Sequence, residues 1–114
     1  MIEIRSNEDL PPCISAVMPI FNEAPSVGAV VQSVLEQRAV QDLIAVDDGS
    51  TDATWEALQP FKANRRVKLV RHERNRGKGA ALRTGFPQAT APIVLVQDAD
   101  PEYDRREHFL LFKP

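Results

Sequence analysis

Apolar residues recur along this chain in two alternating rhythms. Ile14-Ser15-Ala16-Val17-Met18 is a short apolar run that Pro19 stops, as a buried strand would be stopped. Val27, Val30, Val31, Val34 and Leu35 then follow the i, i+3, i+4, i+7, i+8 spacing of an amphipathic helix, with Asn22 as its N-cap and Pro25 in its first turn. Leu43-Ile44-Ala45-Val46 predicts a second strand, and the turn Asp47 to Asp52 leads into a helix carrying Trp55, Leu58 and Phe61 as core residues. Val67-Lys68-Leu69-Val70 predicts a third strand, followed by a basic loop from Arg74 to Gly79. Ala80, Ala81, Leu82 and Phe86 form the next helix, which Pro87 should shorten or bend. Ile93-Val94-Leu95-Val96 is the fourth strand, and the apolar tail Phe109 to Phe112 opens a further element. Residues 1–12 are expected to be a leader, and 13–114 one domain.

The order β-α-β-α-β-α-β, with strands apolar on both faces, predicts an α/β fold. Its sheet would be mostly parallel and covered by helices on both sides, with right-handed crossovers. Every strand in such a sheet ends at the same edge, which is where open α/β sheets bind ligands. The residues that follow the strands are chemically uniform enough to matter. Pro19, Phe21 and Glu23 follow the first, Asp47 and Asp48 the second, Arg74, Arg76 and Lys78 the third, and Asp98 and Asp100 the fourth.

Composition adds little to this and excludes some classes. The chain has 114 residues, is 43% hydrophobic and 26% charged, and carries a net charge of -2, which argues against a nucleic-acid partner. Its one cysteine, Cys13, rules out an internal disulfide framework and reads as a small, partly buried hydrophobe. The N-terminus has acids and no apolar run of signal-peptide type. No apolar stretch approaches the ~20 residues of a membrane span. The expected location is the cytoplasm, or the cytoplasmic face of a membrane.

Asp98-Ala99-Asp100 places two carboxylates one residue apart as the chain leaves a strand, where both can reach one hard cation such as Mg²⁺ or Mn²⁺. Taken alone, an Asp-x-Asp is a weak signal and reads as a solvated turn. A second acidic turn opposite it, at the same sheet edge, favours the metal. In Asp47-Asp48-Gly49-Ser50-Thr51, the last three residues build a turn and cap the next helix, while the two acids face a ligand such as a base N–H or a ribose hydroxyl. Arg74-Asn75-Arg76-Gly77-Lys78-Gly79 joins cations to a helix N-terminus and suits phosphate, although it also reads as a solvated loop. Its spacing is not that of a Walker A loop, and no G-x-G-x-x-G follows the first strand. His72 and His108 have no evident partner and read as surface residues.

These segments together resemble a known family. Val17-Met18-Pro19-Ile20-Phe21-Asn22-Glu23, Val46 to Asp52, Arg74 to Ala81 and Gln97-Asp98-Ala99-Asp100 are similar to the successive motifs of family 2 glycosyltransferases, from about Ile14 to about Asp104. Asp98-Ala99-Asp100-Pro101-Glu102-Tyr103-Asp104 most resembles the polyprenyl-phosphate sugar transferases, such as the dolichyl-phosphate mannose or glucose synthases. The resemblance implies a GT-A fold and an inverting transfer from a UDP- or GDP-sugar, with a lipid phosphate as acceptor.

It further implies that Pro19, Phe21 and Glu23 line the nucleotide pocket and that Asp47 contacts the base or its ribose. Lys78, with Arg74 or Arg76, would order the phosphate side. Asp98 and Asp100 would hold metal and nucleotide, with Glu102 adding a metal contact. Phe21 stands where many members carry tyrosine. No general base stands out, and a phosphate acceptor, already a nucleophile, needs none. Family members continue into an acceptor-binding half, so the chain is expected to be the nucleotide-sugar-binding half, with its apolar tail available for self-association. Two other readings remain at this level: a non-catalytic nucleotide-binding module of the same fold, and a phosphoacceptor receiver domain, which would need an acidic pair after the first strand where Asn22-Glu23 stands.

Overall fold

The structure, a computed structural model, describes residues 11–99 and the backbone of 109–112. Asp100, Glu102 and His108, most of the leader, and the side chains of the apolar tail therefore lie outside the described residues. Five strands and three helices alternate in the predicted order: β1 (Ile14–Ile20), α1 (Ala24–Leu35), β2 (Val40–Asp47), α2 (Thr54–Leu58), β3 (Val67–Arg71), α3 (Lys78–Gly85), β4 (Ile93–Val96) and β5 (Phe109–Phe112). The tail does open a further element. β5 pairs antiparallel with β4, and all other pairings are parallel.

The strand order is β3-β2-β1-β4-β5. Chain order reverses at β1, whose two neighbours are β2 and β4. That reversal is the switch point at which an open α/β sheet presents a crevice at its carboxyl edge.

Each face of the sheet buries its own core. Ala16, Met18, Ile20, Leu43 and Ala45 meet Val27, Val31 and Val34 of α1 and Leu58 of α2. Val17, Ile44, Val46 and Val94 meet Ala81 of α3 on the other side. The alternation along β1 and β2 is the period-two geometry of a strand whose faces are both dry, which explains why these runs are continuously apolar. Trp55 and Phe61 pack against the first core as expected, and the Arg71 guanidinium lies over the Trp55 ring at 5.2 Å.

Several boundaries differ from the sequence reading for physical reasons. Pro19 does not stop β1, which runs on to Ile20. Val17 O accepts from Gln97 N at 3.0 Å, so the main chain of Val17 and, two residues on, of Pro19 turns toward β4. The β1–β4 ladder ends at Val17 and Val96. The absent N–H of Pro19 thus falls past the last rung and no hydrogen bond is lost. Asn22 does not cap α1, because Glu23 takes the N-cap position without a side-chain hydrogen bond. Ser50 and Thr51 likewise do not cap α2, whose N-cap is Ala53. The helix after the basic loop begins earlier than expected, at Lys78 behind Gly77, and becomes a 3-10 turn at Phe86–Gln88, where Pro87 sits.

The amino-terminal edge of the sheet is closed by polar contacts. Ser15 Oγ donates to the buried Asp42 carboxylate and accepts from Thr90 N at 3.1 Å and Ala91 N at 2.9 Å. Thr90 Oγ1 donates to the other Asp42 oxygen at 2.8 Å. The Arg66 side chain donates to the carbonyls of Leu35 (2.8 Å), Gln37 (3.2 Å) and Val40 (2.7 Å), bridging the end of α1, the turn after it and the start of β2.

α3 approaches the sheet closely because Gly85 has no side chain: a Cβ there would stand 2.5 Å from Val17 Cγ1 and 3.3 Å from Val46 Cγ2. Two effects oppose each other in Gly85→Ala. Helix propensity would favour alanine by about 1 kcal/mol, whereas overpacking a dry core opposes it by about 1–3 kcal/mol. The expected result is a net loss of stability, read as a lower midpoint in thermal or urea unfolding.

Candidate functional site

The crevice at the switch point is a cleft of about 340 Å³, within the range of small-molecule sites, lined by Pro19, Ile20, Phe21, Glu23, Asp48, Asn75, Lys78, Asp98 and Ala99. The segments that follow β1, β2, β3 and β4 all contribute. Phe21 is the one large apolar side chain with substantial exposure among the described residues, at 43%. Lys78 Nζ and Asp98 Oδ1 stand 3.2 Å apart, both side chains half exposed.

Two local structures give the edge its shape. Asn22 adopts φ 51°, a left-handed conformation that asparagine tolerates. Its Oδ1 accepts from Thr51 N at 2.8 Å and Asp52 N at 3.3 Å, and Asn22 N donates to Ser50 Oγ at 2.9 Å. Glu23 N donates to Thr54 Oγ1 at 3.0 Å. These bonds tie the β1 loop to the β2 loop, so the polar residues read as caps serve between elements and not within them. Asp52 is drawn below its ordinary carboxylate range, first by the Thr54 hydroxyl.

Gly49 makes the second junction. It has φ +72°, and a Cβ there would meet the main chain of Arg74 and Asn75 at 2.2–2.6 Å. The acidic turn and the basic loop thus pack backbone against backbone, an approach only glycine permits.

Asp48 fastens that junction. Its Oδ1 accepts from His72 Nδ1 at 2.8 Å and Arg76 N at 2.9 Å, and its Oδ2 accepts from Gly77 N at 2.8 Å. Burial disfavours the charge on Asp48, but the His72 side chain and the two backbone donors outweigh it and hold its pKa below the ordinary carboxylate value. His72 is buried, not superficial, and its Nε2 lies 2.8 Å from Thr84 Oγ1 of α3.

Two expectations about side-chain placement are corrected. Asp47 does not face the cleft. It is fully buried, Oδ1 accepts from Ser50 N at 3.0 Å, and Oδ2 has no hydrogen-bond partner, with Arg71 Nε 3.9 Å away. Period-two alternation explains this: Asp47 points with Ala45 into the core under α2, while Asp48 emerges at the rim. Arg74 and Arg76 are exposed but do not line the cleft, and Arg76 contributes its main-chain N–H to Asp48. Asn75 takes their place at the rim, a residue that sequence reasoning passed over because its role comes from loop shape. Pro19, Phe21, Glu23, Lys78 and Asp98 do come together.

The model of the family described as "Glycosyl transferase family 2" matches residues 15–110. The chain belongs to this family. Among relatives, a poly-beta-1,6-N-acetyl-D-glucosamine synthase of Staphylococcus epidermidis is 32% identical over 99% of this chain and 28% of its own length. A dodecaprenyl-phosphate galacturonate synthase of Rhizobium johnstonii is 34% identical over 82% of this chain and 30% of its own. A mannosyltransferase from Pyrobaculum calidifontis, solved with GDP-Man and Mn²⁺, superposes with a TM-score of 0.71 at 31% identity, over 79% of this chain and 28% of that one. The chain therefore spans under a third of the length of these glycosyltransferases. Its fold is the GT-A fold, as the motif resemblance implied, and the receiver-domain reading is set aside.

As a test of the Asp48 junction in this GT-A sheet, Asp48→Asn is expected to lower stability at pH 7 by about 1–3 kcal/mol, because an amide presents an NH₂ where a donor already points. A depressed folded pKa stabilises above the unfolded value of about 4 and is lost as pH falls through the folded one. Unfolding curves of wild type and variant should therefore converge below about pH 4.

Proposed function

We propose that this chain forms the donor side of an inverting, metal-dependent glycosyltransferase that takes a UDP- or GDP-sugar into the switch-point cleft. The observation that carries the reading is the pairing of an exposed carboxylate, Asp98, with an exposed ammonium, Lys78, across that cleft, in a chain matched to family 2 along most of its length. A nucleoside diphosphate with its cation presents the complementary pair of charges. Lys78, at the first turn of α3, would meet the diphosphate, aided by the free N–H groups there. Pro19, Phe21 and Glu23 would flank the base and ribose. Asp48 retains one lone pair on Oδ2 beyond its three hydrogen bonds, enough to accept a base N–H or a ribose hydroxyl. That contact passes to Asp48 from the buried Asp47.

The donor chemistry also fits a cation. Asp98 offers a half-exposed oxygen ligand on the cleft, and Asp100 and Glu102, outside the described residues, would complete an all-oxygen set suited to Mg²⁺ or Mn²⁺. Such a cation, when bound, neutralises charge on the departing nucleoside diphosphate. The neighbour solved with GDP-Man and Mn²⁺ supports this reading.

For the acceptor, a polyprenyl phosphate is the reading supported by the relative named for dodecaprenyl phosphate. A phosphate oxygen would attack the anomeric carbon as the bond to the nucleoside diphosphate breaks, with inversion and without a strong base. That acceptor would place the work at the cytoplasmic face of a membrane. Among the described residues no helix is long and apolar enough to cross one.

Calorimetric titration of UDP and of GDP, with and without Mn²⁺, checks the donor site. One nucleotide should bind only with the metal, and Lys78→Ala and Asp98→Ala should each weaken it by about tenfold or more, since each removes a charge-assisted contact. Binding that is indifferent to metal and to both substitutions would overturn the reading.

A further inference from the structure

The one buried histidine among the described residues has no place in the donor chemistry just set out, yet it sits behind it. His72 lies just past the end of β3, 7% exposed. Its two ring nitrogens reach two different elements: Nδ1 the Asp48 carboxylate of the β2 loop, Nε2 the Thr84 hydroxyl of α3, both at 2.8 Å. A carboxylate below its ordinary pKa only accepts, so Nδ1 carries the proton and donates it. Nε2 lies within hydrogen-bond distance of the Thr84 hydroxyl, which can serve as donor or acceptor. The ring's orientation is fixed at both ends, by the loop in front and the helix behind.

What Asp48 does with its remaining lone pairs gives this arrangement its consequence. It accepts the main-chain N–H of Arg76 and of Gly77, the residues between Asn75 and Lys78. Those two line the cleft. Gly77 holds φ 96°, and the hydrogen bond to its N–H helps to fix that left-handed turn immediately before α3. With its ring absent, Asp48 would lose one donor and a side wall, and could swing away from the loop amides. The chain from Thr84 through His72 and Asp48 to Arg76 and Gly77 thus crosses from α3 to the arm that presents Asn75 and Lys78.

We infer that His72 is a positioning residue: by holding Asp48 from behind, it sets the shape of the 74–78 arm and hence the placement of Lys78 on the cleft. The part that concerns nucleotide affinity rests on the proposed donor site, and the part that concerns loop shape does not.

Three substitutions separate the possibilities. His72→Leu removes both ring contacts at similar volume. His72→Asn keeps a donor near the position of Nδ1. Thr84→Val removes only the anchor at Nε2. Amide hydrogen exchange at Arg76 and Gly77 reads loop shape, and calorimetry with UDP or GDP plus Mn²⁺ reads affinity. His72→Leu is expected to speed exchange at both amides and weaken nucleotide binding about tenfold, as loss of a charge-assisted hydrogen bond would. His72→Asn should restore both, and Thr84→Val should shift both in the same direction by a smaller factor. A role confined to stability would lower the melting temperature and leave exchange at these amides in step with the rest of the sheet.

Unchanged exchange at Arg76 and Gly77 in His72→Leu, or in Thr84→Val if the leucine variant does not fold, would overturn the inference. If the wild type binds neither nucleotide while exchange still responds, the donor reading fails and the positioning role of His72 stands.

Discussion

A buried carboxylate needs donors, and Asp48 finds them in the next loop along the sheet. That requirement couples the two loops that matter most to the cleft. The turn after β2 cannot relax without stranding a charge, and the loop before α3 cannot relax without freeing two amides that Asp48 holds. Gly49 reinforces the coupling sterically, since its missing side chain lets the two main chains touch. Charge, hydrogen bonding and close packing all act at one junction, and Lys78 leaves that junction as the first residue of α3.

The two edges of the sheet contrast in their chemistry. At the amino-terminal edge, Ser15, Asp42 and Thr90 satisfy one another and the adjoining main chain, so the polar atoms are consumed by structure. The carboxyl edge keeps polar atoms to spare: Asp98 and Lys78 are half exposed, Asn75 and Phe21 are exposed on the rim, and Asp48 has one lone pair left. A surface ion pair between groups as open as Lys78 and Asp98 contributes little to stability. In the proposed donor site they are a cation and an anion that would exchange partners when a charged ligand arrives.

Strand order decides where this edge opens. Chain order reverses at β1, and α1 and α2 cover one face while α3 covers the other. The loops after β1 and β2 lead to one face and the loop after β3 to the other, and these with the end of β4 converge on the cleft. Membership of family 2 fits this geometry, because the matched segment, residues 15–110, contains every element that lines the cleft.

The order of elements, the parallel sheet and the family were all legible in the amino-acid sequence. Those follow from local signals: apolar runs of strand length, the helical spacing of Val27, Val31 and Val34, and motifs that fall after strands. Equally legible was that Pro19, Phe21, Glu23, Lys78 and Asp98 share one edge, since parallel strands leave no other arrangement. Tertiary structure decided the rest. Asp47 and Asp48 are chemically identical and adjacent, and only strand alternation and the packing of α2 send one into the core and the other to the rim. His72 carries no motif, and its partners lie 24 and 12 residues away. Asn22, a plausible cap by its neighbours, became a tie between loops because β2 lies beside β1. A residue type states what a side chain can bond to, while the fold chooses the partner, because hydrogen bonds and burial depend on neighbours that only the folded sheet brings within reach.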